Sequence, residues 1–159
     1  MQGFKQTCKA QVELGVSASR LWATIKEGSK LLPKIAPEHF SYVKILQGQV
    51  GEIGSITLTK LGSMSPGGEE ELLMKEQLLE VDDQAMTMKI TEVEGGHIAV
   101  GFTKWQPTVK LVPLGPERVI LRSTVEFEGD LDPTIAIALH MEAIPNLFRR
   151  VEKYLQETG

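Results

Sequence analysis

The stretch Asp132-Pro133-Thr134-Ile135-Ala136-Ile137-Ala138-Leu139-His140-Met141-Glu142-Ala143-Ile144-Pro145-Asn146-Leu147-Phe148-Arg149-Arg150-Val151-Glu152-Lys153-Tyr154-Leu155-Gln156-Glu157 closes the chain and dictates how everything before it is arranged. Asp132 can accept a hydrogen bond from a free first-turn N–H, and Pro133 suits a position where its missing N–H costs nothing. Helix formers follow up to Pro145. A helix of about 26 residues spans roughly 39 Å, more than the width of a small domain, so it must lie across whatever the preceding strands build. Ile135, Leu139, Leu147, Val151 and Leu155 share one stripe, and the charged residues Arg149, Arg150, Glu152 and Lys153 fall mostly away from it. That stripe is expected to be buried. Pro145 removes the bond to the Met141 carbonyl and crowds it, which predicts a kink.

A chain of 159 residues fits one domain, 1–159, with a substantial core. The hydrophobic fraction of 42% and charged fraction of 24% are those of a globular protein. With a net charge of −4 and no basic cluster beyond Arg149 and Arg150, the composition argues against nucleic acid or an anionic membrane as partner. Cys8 is the single cysteine, as expected in a reducing compartment, and no stretch reads as a signal peptide or membrane span. The expected location is the cytoplasm. His39, His97 and His140 are far apart and lack metal-ligand spacing, so neither a metal nor a cofactor is expected.

Taken in order, Phe4 to Leu14 alternates as a first strand ending at Gly15. Ser17 or Ser19 opens a helix through Leu21, Trp22 and Ile25, Gly28 interrupts, and Leu31 to Ile35 forms a second helix before Pro37. Strands follow at 40–46, where Phe40, Tyr42 and Lys44 oppose Ser41, Val43 and Ile45, and at 55–61. Ser63 to Glu70 reads as a loop. Leu72 to Val81 puts Leu72, Met74, Glu76 and Leu78 on one face, and Ala85 to Val93 alternates Met86, Met88 and Ile90 with Thr87, Lys89 and Thr91. A strand from Ile98 to about Val112, interrupted at Pro107, and a last one through Val119, Leu121, Ser123, Val125 and Phe127 complete an antiparallel meander.

A seven-stranded twisted sheet curls, and one long helix cannot fill its concave face unless bulky side chains help. Here the inward positions are medium-sized and soft, and only 6% of residues are aromatic. The fold class predicted is therefore α+β: a curved seven-stranded antiparallel sheet, two short helices and a long C-terminal helix enclosing a cavity. Methionine suits a wall that accepts varied ligand outlines.

Several motifs carry a resemblance. Leu32-Pro33-Lys34-Ile35-Ala36-Pro37, the glycine loop from Gly48 to Ile56, Glu80-Val81-Asp82, Glu92-Val93-Glu94-Gly95-Gly96 and Arg150-Val151-Glu152-Lys153-Tyr154-Leu155 resemble, in order and spacing, the plant Bet v 1 family. That family includes the major birch pollen allergen, pathogenesis-related class 10 proteins, cytokinin-specific binding proteins and norcoclaurine synthases. The resemblance covers essentially the whole chain. It implies a START-like helix-grip domain around a hydrophobic cavity.

The resemblance also implies where chemistry would sit. Norcoclaurine synthase activity is associated with a tyrosine, a glutamate, a lysine and an aspartate whose places here hold Met74, Glu76, Met88 and Pro107; the glutamate alone is kept. Ribonuclease activity in the family is credited to four positions, of which Glu152 and Tyr154 match while Thr57 and Thr103 do not. Acid/base cleavage of RNA then has too few parts, and Glu152 and Tyr154 read as surface and packing residues. Trp22 and Trp105 read as core anchors, and the glycine loop as a turn between strands, since it carries Glu52 and no helix follows it. No catalytic residue is assigned, with a synthase-like enzyme or a ribonuclease-type defence protein as alternatives.

The reading is an intracellular carrier of small hydrophobic or amphipathic ligands, such as cytokinins or flavonoids, expected to be a monomer with a weak dimer as alternative. The apolar contacts expected are Phe40, Met74, Met86, Met88, Ile90 and Leu121 from the sheet, with Ile144 and Leu147 from the helix. Glu76 shares the inward face and needs a partner, a proton or water, and cytokinin-binding relatives use a glutamate there. Ser123 and His140 are the further polar candidates.

Overall fold

The alternation of strand residues with hairpin-length links produces one antiparallel sheet, in the order β1-β7-β6-β5-β4-β3-β2. The structure, a computed structural model, describes residues 6–62 and 72–158, with the side chain of residue 72 excepted. The expected strand start at Phe4 and the loop Ser63 to Glu70 lie outside these residues.

The strands are β1 (Gln6–Leu14), β2 (Phe40–Gln47), β3 (Ile56–Leu61), β4 (Leu72–Asp82), β5 (Thr87–Gly95), β6 (Phe102–Gly115) and β7 (Arg118–Gly129). The helices are α1 (Ala18–Lys26), α2 (Gly28–Ile35), α3 (Gly96–Ala99) and α4 (Thr134–Thr158). Ser17 caps α1, its hydroxyl accepting from the Arg20 N–H, and Asp132 Oδ1 accepts from the Thr134 N–H at 3.0 Å. The Thr134 hydroxyl, donating to Asp132 Oδ1 at 2.6 Å, and the Thr134 N–H together hold the Asp132 carboxyl below the usual carboxylate range.

Four expectations are corrected. Ile98 does not open a strand: Gly95 and Gly96 adopt φ of +73° and +50°, turning the chain into α3, and β6 starts at Phe102. β6 then runs through Pro107 without a break. Pairing between β5 and β6 covers only Thr108 to Lys110 on β6, so the absent N–H of Pro107 lies beyond that ladder. Met86 sits in the turn before β5, at φ +48°, and not on the strand.

The fourth correction concerns α4. The helix continues through Pro145, but Ile135 and Leu139 are 72% and 39% exposed, and the first half buries Ala136 instead. The buried stripe of the second half is Leu147, Phe148, Val151 and Leu155. The apolar stripe therefore does not hold one phase along the helix.

Two cores result. The larger joins β1, β7, α1, α2 and the second half of α4 around Leu14, Leu21, Leu121, Phe148 and Val151. The smaller packs Cys8, Phe102, Trp105, Val125, Phe127 and Ala136 under the first half of α4. Polar staples fix the second half of α4 in place. Glu152 Oε2 accepts from the Gly15 N–H at 2.6 Å, Gln156 Nε2 donates to the Gly15 carbonyl, and Arg150 donates to the Ile35 carbonyl at 2.8 Å and pairs with Glu38.

Candidate functional site

A cavity of about 210 Å³ lies between the β2–β6 part of the sheet, the α1–α2 pair and the second half of α4. That is smaller than the roughly 300–1,000 Å³ of most small-molecule sites, so it matches a ligand of one or two rings. Its apolar lining includes Ile25, Leu31 and Leu32 from the helices, Phe40 and Val43 from β2, Met88 and Ile90 from β5, Val109 from β6, and Phe148 and Val151 from α4. A register shift between Phe40 and Tyr42 brings Phe40 and Val43 to the same side of β2, where strict alternation would have paired Phe40 with Tyr42.

Of the residues expected to meet a ligand, Phe40, Glu76, Met88 and Ile90 line this cavity. The others do not. Met74 is buried against the glycine pair, its sulfur 2.9 Å from where a Cβ on Gly96 would stand. Met86, Ile144 and Leu147 belong to the packing of the larger core, and Leu121 is fully buried within it. Ser123 and His140 hydrogen-bond each other, Oγ to Nε2 at 3.3 Å.

The end of the sheet beneath the first half of α4 is packed with aromatic rings. The His97 ring stacks on Trp105 at 3.5 Å and 6°, with Phe102 edge-on to both and Phe127 against Trp105. Glu92, with its side chain 3% exposed, holds that histidine: Oε1 accepts from the His97 N–H at 2.7 Å, and Oε2 lies 2.6 Å from Nδ1. The motif Glu92-Val93-Glu94-Gly95-Gly96-His97 is thus a structural knot, in which glycine at 96 leaves room for the carboxylate. Burial, and next the nearby His97, push His140 down to about 4.

Glu76 is the titratable group of the cavity wall whose chemistry is altered. On β4 it faces Thr57 of β3 on one side and Glu92 of β5 on the other. Desolvation, and next the Glu92 carboxylate, raise its pKa to about 8. Its side chain is only half-buried by accessible area, since one side faces the cavity, but the surrounding protein is dense enough to strip most of its hydration. At neutral pH it is mostly a neutral acid, able to donate and to accept a hydrogen bond.

Sequence reasoning missed the row next to it. Ser55, Thr57 and Thr59 alternate along and just before β3 and all line the cavity; the period-two spacing was the available signal. Thr24 and Lys26 also reach the lining but are engaged, Thr24 Oγ1 donating to the Arg20 carbonyl and Lys26 Nζ to Asp83 Oδ1. Among the described residues, no group of three or more His, Cys, Asp or Glu could hold a metal, and no helix is long and apolar enough to cross a membrane.

Comparison with known proteins agrees with this architecture. The major pollen allergen Aln g 1 of Alnus glutinosa is 31% identical over 153 residues, covering 92% of this chain and 91% of the allergen. S-norcoclaurine synthase of Thalictrum flavum subsp. glaucum is 28% identical over 120 residues, and the match spans about half of that enzyme, 54% of its length against 74% of this chain. Among solved structures, ginseng major latex-like protein 151 from Panax ginseng superposes with a TM-score of 0.80 at 18% identity, covering 96% of this chain and 98% of that one. The model of the pathogenesis-related protein Bet v 1 family matches residues 3–158. With the seven-stranded sheet closed on a long C-terminal helix, the chain belongs to the Bet v 1 family.

Proposed function

We propose that this protein binds and carries small amphipathic ligands in the cavity beneath the second half of α4, as a pathogenesis-related class 10 type protein. The observation that carries the reading is a largely apolar hollow with one neutral carboxyl group, Glu76, in its wall. Ligand carbon buried against Phe40, Met88, Ile90 and Phe148 contributes roughly 25 cal/mol per Å², and Glu76 orients the polar end. Cytokinins and other one- or two-ring metabolites fit this description. A free, buried Cys8 accords with action in the cytosol.

A second reading is a synthase. Relatives include norcoclaurine synthase and the norbelladine synthase of Narcissus pseudonarcissus, and a carboxyl poised near 8 is suited to proton transfer. The cavity lining contains Lys26, but its ammonium group is paired with Asp83, and the other side chains that line the cavity beside Glu76 are hydroxyls and hydrocarbon. We therefore place the carrier reading first.

Isothermal titration with an adenine-type cytokinin and with 8-anilinonaphthalene-1-sulfonate (ANS) tests the carrier reading. Saturable one-site binding is expected for at least one of them. No saturable heat with either contradicts it. Product formation from an arylethylamine and an aldehyde, abolished in Glu76→Ala, would move the conclusion to the synthase.

A further inference from the structure

The cavity has two unlike walls. On β3 and the residue before it, Ser55, Thr57 and Thr59 stand in one line at spacings of two, with Glu76 directly across the ladder from Thr57. Ser55 and Thr59 are 4% and 3% exposed. Among the described residues, no backbone or side-chain group hydrogen-bonds the three hydroxyls or the Glu76 carboxyl, whereas Thr24 and Lys26 at the same lining are engaged. The wall supplied by α2 and α4, apart from Ser29, is hydrocarbon: Leu31, Leu32, Phe148 and Val151.

Buried polar groups in folded proteins are almost always paired, and a hydroxyl without a protein partner that faces a cavity is directed at what the cavity holds. A β-sheet row offers such groups about 7 Å apart, the distance between every second residue. That spacing matches one long edge of a fused two-ring molecule. The opposite edge would meet only carbon.

We infer that the Ser55–Thr57–Thr59 row, with Glu76, is a specificity strip that selects flat one- or two-ring ligands carrying hydrogen-bonding groups along a single edge. The inference rests on the carrier reading and refines it. Because each hydroxyl both donates and accepts, and the neutral Glu76 does the same, the strip reads the position of polar groups more than their charge. A ligand with polar groups on both edges would leave one of them unpaired against α2 and α4 and lose its hydration without replacement.

The test uses an isosteric pair, 2,7-dihydroxynaphthalene, whose two hydroxyls lie about 7 Å apart on one long edge, and 2,7-dimethylnaphthalene, titrated by their intrinsic fluorescence against the wild type and the double variant Thr57→Val, Thr59→Val. The substitutions conserve shape and β-branching. The wild type is expected to prefer the dihydroxy probe, and the variant to bind it about tenfold more weakly while holding the dimethyl probe unchanged or tighter. The dimethyl probe also reports that the variant is folded. If the variant loses both probes equally, or keeps the wild-type preference, the strip is overturned while the carrier reading survives. If the wild type binds neither probe but still binds ANS, the strip is overturned while the carrier reading survives; if it binds neither probe nor ANS nor the adenine-type cytokinin, both are overturned.

Discussion

Ser123 Oγ and His140 Nε2 lie 3.3 Å apart, so two side chains that the sequence offered as ligand contacts satisfy each other at the boundary between the two cores. Ser123 stands on β7 between Leu121 of the larger core and Val125 of the smaller one. Removing its hydroxyl leaves a half-buried imidazole nitrogen without its partner. Ser123→Ala is expected to lower stability by about 1–2 kcal/mol, measured by urea unfolding, with ANS affinity unchanged. A loss of ANS binding without a loss of stability would return Ser123 to the ligand site.

Burial of His140 sets an acid limit. The folded-state pKa of His140, about 4, lies below its ordinary value of 6.5. The unfolded chain therefore takes up a proton at higher pH than the folded one, and stability falls as pH drops from 6.5 toward 4. His140→Gln keeps a polar partner for Ser123 and removes the titration. Its stability curve is expected to be flatter across that window than the wild type's, by thermal unfolding at pH 7, 6, 5 and 4.

Glu76 acts in the opposite sense. Its folded-state pKa is raised to about 8 from 4.5, so the folded chain holds the proton more tightly. The stabilising protonation is complete below 4.5 and is lost as pH climbs to 8. Glu76→Gln, which resembles the neutral acid, is expected to raise Tm by about 2–6 °C at pH 8.5 and by much less at pH 4.5. It is also expected to change the order of ligand preference. An equal Tm change at both pH values would show that Glu76 is solvated.

Glu152 is a staple. It accepts from the Gly15 N–H at 2.6 Å and from Arg149 at 3.1 Å. Glu152→Ala is expected to cost about 1–3 kcal/mol of stability by denaturant titration, with no change in RNA breakdown by heat-controlled preparations. A fall in RNA cleavage at unaltered stability would support the ribonuclease alternative.

The sequence made the fold legible because two signals agreed over long stretches: period-two alternation in β4 and β7, and the capped helix from Asp132 onward. The site was legible only in part. Glu76, Met88 and Ile90 follow from alternation on strands whose phase holds through them. Met86 failed because the turn extends two residues further, with Ala85 N–H bonding to Asp82 Oδ1 at 2.9 Å and β5 beginning only at Thr87, and Val43 was missed because the β2 register slips beside Phe40. Ile135 and Leu139 failed because helical periodicity fixes relative phase, while the barrel decides which phase is buried. Ser55, Thr57 and Thr59 were hidden by their small polar side chains, which carry no hydrophobic signal for an inward face.

Steric limits at two glycines separate close approach from backbone conformation. A Cβ on Gly95 would stand 1.9 Å from the Leu73 carbonyl oxygen, and its φ is +73°; at Gly54, with φ +90°, nothing lies within 4 Å. Gly95→Ala is expected to cost at least about 3 kcal/mol, and Gly54→Ala about 1–2 kcal/mol. Urea midpoints decide it. Equal costs would mean that the β4–β5 backbone yields without resistance.

The hollow itself is tested most directly by filling it. Met88 is 5% exposed and lines the cavity from β5, opposite the α2 and α4 side chains, so Met88→Trp puts an indole into the ligand's space. ANS titration of wild type and Met88→Trp, with Ser123→Ala as a variant remote from the cavity, is the measurement. The expected result is an affinity at least tenfold weaker in Met88→Trp and unchanged in Ser123→Ala. Full ANS affinity and stoichiometry in a cooperatively folded Met88→Trp would show that ligands bind elsewhere.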